Sequence, residues 1–316
     1  MDGGGQMGKV AFLFPGQGSQ KVGMDSHLRG RRAADHVLEM AEGMGHGARL
    51  SELIAQGPED LLTRTDNVQP AITLVSLATL AVLEDAGLRP QAVAGHSLGE
   101  YSALVAAGVF GASEALRLTA RRGELMQECA GRYPGGMLAL LGIGLEQTAR
   151  CVDEASDLGP VGIANMNSRG QVVISGASEA LQKAGELCRE MGARRAIPLK
   201  VSGAWHSPLM EEAAEGLAEE LAATDFADPK LPLVANVTAD YLGGGGEAAE
   251  LLRSQVVSPV LWADTMQRLT DDGFDTFVEV GPGSVLQGLL RRNRDVTTYG
   301  TGSADELDST LQQLLR

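Results

Sequence analysis

Val93-Ala94-Gly95-His96-Ser97-Leu98-Gly99-Glu100 sets a serine between two glycines at the end of a short apolar run, Ala92 to Ala94. From Tyr101 to Val109 apolar residues recur at a spacing compatible with a helix. Strand, tight turn and helix in this order form the context of a nucleophile elbow, in which a strained serine projects its hydroxyl outward. Glycines at the flanking positions remove the Cβ atoms that would meet the neighbouring strand and helix. The new helix presents free N–H groups and its positive dipole end beside the serine. Gly-x-Ser-x-Gly alone is a weak signal in a chain with 41 glycines, so the remaining sequence has to decide between a nucleophile and an ordinary turn.

The strand before it is Lys9 to Phe14, apolar and β-rich enough for a parallel sheet covered on both faces. Pro15-Gly16-Gln17-Gly18-Ser19-Gln20 follows and lacks the Lys-Ser/Thr of a phosphate-binding loop and the glycine spacing of a dinucleotide fingerprint. A loop after a first strand still sits at the sheet edge where α/β folds bind ligands. Pro58 to Thr65 reads as a short helix. Asn67-Val68-Gln69-Pro70 reads as the cap of a helix from Ala71 to Ala86, apolar almost all round and therefore buried. Ala112 to Cys129 reads as a helix with Arg117, Arg121, Arg122 and Glu124 on a charged side.

A change of period follows. Gly136 to Ile143, Val161 to Asn165, Gln171 to Ser175 and Arg195 to Leu199 read as strands. Leu145 to Ser156 and Ser178 to Met191 read as helices. The order β-α-β-β-α-β is ferredoxin-like. The fold class expected is α/β, with a hydrolase-like parallel-sheet core (8–131 and 201–316) and an inserted ferredoxin-like subdomain (132–200). Beyond it, helices are expected over Glu211 to Ala223, Ala248 to Val257, Trp262 to Asp272 and Ser284 to Arg292. Strands are expected over Leu233 to Val237 and Thr276 to Val280, a flexible surface loop over Leu242 to Gly246, and disorder over Met1 to Met7.

The 316 residues suit one large domain, or a large and a small one. With 26 basic and 41 acidic residues the net charge is −15, which disfavours nucleic-acid binding. Cys129, Cys151 and Cys188 have neither disulfide nor zinc spacing and read as reduced thiols of a cytoplasmic protein. No basic-then-apolar leader opens the chain, and the longest apolar tract, Ala71 to Leu83, is shorter than the ~20 residues a bilayer requires.

A serine nucleophile needs a base. His27, His36 and His46 lie in a polar segment, and His96 adjoins the serine and should point elsewhere. By elimination His206, in the loop Val201-Ser202-Gly203-Ala204-Trp205-His206-Ser207-Pro208, is the candidate base, with a structural histidine as the alternative. The carboxylates between Ser97 and His206 fall mostly on solvated helix faces. A Ser–His pair oriented by a backbone carbonyl is therefore an open reading.

Six blocks occur in order: Phe14-Pro15-Gly16-Gln17-Gly18-Ser19-Gln20; Gly95-His96-Ser97-Leu98-Gly99-Glu100; Arg122-Gly123 with Met126-Gln127; Asn165-Met166-Asn167-Ser168; Gly203-Ala204-Trp205-His206-Ser207; and Glu279-Val280-Gly281-Pro282-Gly283. Together they resemble the malonyl-CoA:acyl-carrier-protein transacylases, and also the acyltransferase domains of polyketide synthases, from about Val10 to Arg292. The resemblance implies that Ser97 is acylated and that His206 is its base and then acid. It implies an oxyanion hole from the N–H groups of Leu98 and Gln17, a malonyl-carboxylate clamp at Arg122, and the backbone carbonyl of Gln255 as the orienter of His206. Arg122 is indistinguishable by pattern from Arg121, and only the family likeness separates them. Position 205 is Trp where relatives usually carry Phe, Ser or another smaller residue. It reads either as harmless packing or as a narrowed acyl pocket that favours malonyl over methylmalonyl.

The activity implied is malonyl transfer from malonyl-CoA to the phosphopantetheine thiol of acyl carrier protein, in fatty-acid or polyketide biosynthesis. No metal or other cofactor, no membrane partner and a monomeric state are expected. Arg194-Arg195 and Arg291-Arg292 with Arg294 are candidate docking sites for an acidic carrier, against a plain solvated surface. An acyl-carrier hydrolase using the same Ser–His site is the alternative activity, and a catalytically inert scaffold is a third.

Overall fold

A computed structural model describes residues 8–44, 47–291 and 295–315. Met1 to Met7, His46, Arg292 and Arg294 lie outside the described residues. Nine strands occur among the described residues: β1 (Lys9–Phe14), β2 (Ala92–Gly95), β3 (Gly135–Leu141), β4 (Val161–Ser168), β5 (Gln171–Ala177), β6 (Arg195–Pro198), β7 (Leu233–Val234), β8 (Phe274–Glu279) and β9 (Thr297–Tyr299). They form two sheets, one in the order β7-β2-β1-β8-β9 and one in the order β4-β5-β3-β6.

The first sheet is parallel throughout. Its strands are covered on both faces, which is why β1 and β2 read as unbroken apolar runs instead of alternating ones. The register pairs Phe14 with Gly95 at the carboxyl ends of β1 and β2. The loops that follow, one with Gln17 and one with Ser97, therefore leave the sheet side by side. That edge is where open α/β sheets bind ligands.

The second sheet is antiparallel, and its strands alternate with the helices Leu145–Ala155 and Ser178–Glu190 in the ferredoxin-like order. Side chains of β3 alternate between two cores. Leu138 and Leu140 face the small subdomain's own cluster with Val152, Ile174 and Cys188, while Met137 and Ala139 join the main core. The small sheet is thus packed from both sides, and β3 forms part of the wall facing the elbow.

Several boundaries differ from the sequence reading for physical reasons. The buried helix runs Thr65–Asp85, with Pro70 inside it. The N–H groups of Asn67 and Val68 bond to Arg64 O, so the helix is closed before Pro70 is reached. Pro70 is the sixth helical residue, so it forfeits a bond to Asp66 O and crowds that carbonyl, a cost offset by the burial of nearly every residue from Val68 to Leu83. At 21 residues the helix is long and apolar enough to cross a membrane, yet 83% of its most apolar window is buried among other elements of the chain, as for a core helix. Of the loop expected over Leu242 to Gly246, Leu242 to Gly244 lie outside any helix or strand, while Gly245 and Gly246 begin the helix Gly245–Gln255. A Cβ on Gly245 would lie 2.4 Å from Phe226 O, so close packing rather than mobility explains that glycine. The edge strand β9 and the helix Ala304–Leu314 were not expected. They are tied down by His27 Nε2 to Thr301 O (2.8 Å) and by the ion pair of Arg31 with Asp308 (2.6 Å).

Candidate active site

The elbow is enforced by contact. A Cβ on Gly95 would fall 2.1 Å from the carbonyl carbon of Gly99, and one on Gly99 would fall 2.0 Å from Phe14 O. Between them Ser97 has φ 51°, the left-handed region that a non-glycine residue holds only when its surroundings fix it. The fixing bonds are visible. Ser97 N–H donates to Asn236 Oδ1 (2.6 Å), and Asn236 Nδ2 donates to Gly95 O (2.6 Å). Ser97 O accepts from Glu100 N and from Gln255 Nε2, each at 3.0 Å.

His206 is also held at positive φ, 58°, in a loop closed by Ser207 Oγ donating to Ala204 O (2.6 Å). Its Nε2 lies 2.7 Å from Ser97 Oγ and its Nδ1 lies 2.8 Å from Gln255 O. The carbonyl can only accept, so Nδ1 carries the proton and Nε2 is free to accept one from the serine. Burial, and then the positive charge of Arg122, push the His206 imidazole down to about 3. It is therefore neutral near pH 7.

Arg122 departs from the pattern reading. It was expected on a charged helix face, but it is only 2% exposed, whereas Arg121 reaches outward to Glu124 (3.1 Å). Adjacent helical residues point about 100° apart, which separates the two arginines. Arg122 Nη1 donates to Gln69 Oε1 (2.8 Å), and Nη2 donates to Gln255 Oε1 (3.0 Å) and Ser97 Oγ (3.2 Å). Its guanidinium carbon lies 5.8 Å from the centre of the Tyr101 ring, and its Nε has no partner. A buried cation beside the serine, short of one partner, is suited to an anionic group.

Gln17 is half-buried on the neighbouring loop, and a Cβ on Gly16 would lie 2.5 Å from His96 O, so that loop and the elbow are in contact. Among the described residues, neither the Gln17 N–H nor the Leu98 N–H makes a hydrogen bond. Trp205 is buried, packed over Gly203, with Nε1 unpartnered, and it lines the cleft. That cleft measures about 1000 Å³ and runs between the elbow and a wall that includes Met137, Asn165, Leu199 and Val201. His96 Nε2 lies 2.8 Å from Asn167 Oδ1 on β4, which ties the elbow to the small subdomain.

The structure thus brings Ser97, His206, Gln255, Arg122, Gln17, Leu98 and Trp205 to one place. Three further residues were not singled out from the sequence. Asn236 and Gln69 carry no local signal. Glu100 was quoted with the elbow, yet its burial could not be read from its type; burial pushes its carboxyl up to about 7. Among the described residues no cluster of three or more side chains is suited to hold a metal ion.

Residues 11–302 match the family described as "Acyl transferase domain". The chain belongs to that family. It is 41% identical over 315 residues to the malonyl CoA-acyl carrier protein transacylase of Bacillus subtilis, covering 98% of each chain. Its structure is similar to that of MCAT from Streptococcus pneumoniae, with a TM-score of 0.92 and 38% identity over 97% of this chain and 100% of the other. It is equally similar (TM-score 0.92, 37% identity, 96% and 99% covered) to PlMCAT, a malonyl-transacylase solved with its type II PKS acyl-carrier protein AntF.

Proposed function

We propose that this member of the acyl transferase family moves a malonyl group from malonyl-CoA to the phosphopantetheine thiol of acyl carrier protein through an ester on Ser97. The observation that carries the reading is Ser97 Oγ held at once by the neutral His206 (2.7 Å) and by the buried Arg122 cation (3.2 Å).

In the first half-reaction Ser97 Oγ attacks the thioester carbonyl and its proton passes to His206 Nε2. The oxyanion that forms lies between the free N–H groups of Leu98 and Gln17; loss of one such donor typically costs ~10²–10³-fold in kcat. The intermediate collapses, the C–S bond breaks, and the CoA sulfur leaves with the proton from His206. In the second half-reaction the carrier thiol gives its proton to His206 and attacks the ester. The C–O bond then breaks and Ser97 Oγ takes the proton back. Gln255 O holds His206 in the required tautomer without a carboxylate.

Arg122 donates to the free carboxylate of the acyl group. Its guanidinium, 3.2 Å from Oγ, is near enough to the ester to meet a carboxylate carried on a short acyl chain. Trp205 narrows the same cleft and disfavours an α-methyl group. Arg194 and Arg195 line a separate surface cleft with Ser168 and Gly288 and offer the acidic carrier a local basic surface. A core of 8–131 and 201–316 with a 132–200 insertion, a monomeric state, a cytoplasmic setting and the lack of a resident cofactor, membrane or nucleic-acid partner belong to the same proposal.

Rapid quenching after mixing with malonyl-CoA, followed by peptide mass analysis, tests it. The expected result is a near-stoichiometric burst of CoA, malonyl on Ser97, and malonyl-carrier as product when carrier is added. Free malonate as the main product with carrier present would support the hydrolase alternative, and no covalent adduct would leave only the inert-scaffold reading.

A further inference from the structure

Among the described residues Glu100 is the one carboxylate within this network, 3% exposed, and the mechanism above does not use it. Its two oxygens have separate partners. Oε1 accepts from the backbone N–H of Asn236 (3.0 Å), and Oε2 accepts from Gln255 Nε2 in a short contact. The Gln255 side-chain amide is therefore fully specified. Its NH₂ lies between Ser97 O (3.0 Å), which only accepts, and Glu100 Oε2, which only accepts while the carboxylate is charged, and its Oε1 faces a group that only donates, Arg122 Nη2 (3.0 Å). Turning the amide over would set its carbonyl against two acceptors and its NH₂ against a guanidinium.

We propose that Glu100 is a positioning residue for substrate selection: its carboxylate fixes the direction of the Gln255 amide, and that amide holds Arg122 aimed at the acyl carboxylate beside Ser97. The inference rests on the clamp role given to Arg122 above. It explains why an acid is buried one turn after the nucleophile although His206 is oriented by a backbone carbonyl.

Glu100→Gln is nearly isosteric and isolates the effect. Its carbonyl can still accept from Asn236 N–H, but its NH₂ then meets the NH₂ of Gln255, and the conflict is relieved by the Gln255 amide turning over. Arg122 would then face a donor. Hydrogen bonds to charged groups are worth enough that removing one changes a rate by about 10–150-fold. The expected result is a loss in malonyl-CoA kcat/KM of about tenfold or more, at the lower end of that range. The loss is expected mainly in KM and to exceed any loss in the rate at which a fluorophosphonate, which has no carboxylate, labels Ser97.

A double-mutant cycle separates this from general damage. Gln255→Met removes the amide and keeps the backbone carbonyl that orients His206. In that background Glu100→Gln should cost less than about twofold, since the group it acts through is gone. Equal losses in both backgrounds, or a labelling rate that falls as far as malonyl transfer, would overturn the proposal. If Glu100→Gln does not fold, Gln255→Met alone decides, and an unchanged malonyl KM overturns the proposal. Arg122→Ala in the same series keeps the two readings apart. If Arg122→Ala spares malonyl transfer, the clamp itself is wrong; if it lowers transfer and Glu100→Gln does not, only the inference fails.

Discussion

The two sides of the cleft are built differently. On the elbow side every polar atom of Ser97 has a fixed partner: Asn236 on its N–H, Gln255 and Glu100 N on its carbonyl, His206 and Arg122 on its hydroxyl. On the other side the wall is largely apolar and comes from the small subdomain and the segment leading to His206, with Met137, Leu199, Val201 and Trp205. Reactive geometry is enforced where hydrogen bonds leave no freedom. Acyl-group choice is left to side-chain volume, which changes without disturbing the reacting atoms. Catalytic precision and substrate breadth can thus vary separately on one scaffold.

This contrast gives a graded set of outcomes. The largest is on the elbow. Gly99→Ala puts a methyl 2.0 Å from Phe14 O, a backbone atom of the central strand, which cannot yield as a side-chain tip would. Overpacking of this kind costs ~1–3 kcal/mol or more, so thermal unfolding should show a Tm lower by several degrees, together with loss of Ser97 labelling. An unchanged Tm would mean that the elbow is less constrained than described. On the wall, Trp205→Ser should fold, retain malonyl transfer and raise methylmalonyl-CoA kcat/KM; one methylene in an apolar pocket discriminates by about 10–200-fold. No gain for methylmalonyl would leave Trp205 as ordinary packing.

The smallest effect is in the pH profile. The protonated form of His206 cannot accept the serine proton, so reactivity is present above its pKa and lost as pH falls through it. Because burial and Arg122 push that pKa down to about 3, Ser97 labelling should stay flat down to about pH 5. An acid limb near 6.5, the value of a free imidazole, would contradict the burial account.

Much of this was legible in the sequence, for identifiable reasons. The elbow was readable because only glycine tolerates contacts near 2 Å at two positions four residues apart. The small subdomain was readable because its hydrophobic period changes abruptly from helix to strand. The start of the buried helix is not legible because a proline reads as a boundary, whereas here the burial of the turns on both sides of Pro70 carries it inside the helix. The helix start at Gly245 is not legible because sequence does not distinguish a glycine needed for motion from one needed for close packing. Asn236 could not be found, since its role depends on β7 lying beside β2, a pairing between residues about 140 positions apart. Arg122 could be told from Arg121 only by the family likeness, though the angle between adjacent helical residues already implied that both could not face the same surroundings.

The central claim is that a buried cation beside the nucleophile selects a carboxylate-bearing acyl group. The most direct measurement is kcat/KM of Arg122→Ala for malonyl-CoA and for acetyl-CoA in the same transfer assay. Removing a charge-assisted contact of ~1.5–3 kcal/mol should lower malonyl transfer by about 10–150-fold and leave acetyl transfer without a parallel fall. Equal losses for the two acyl groups would contradict the account.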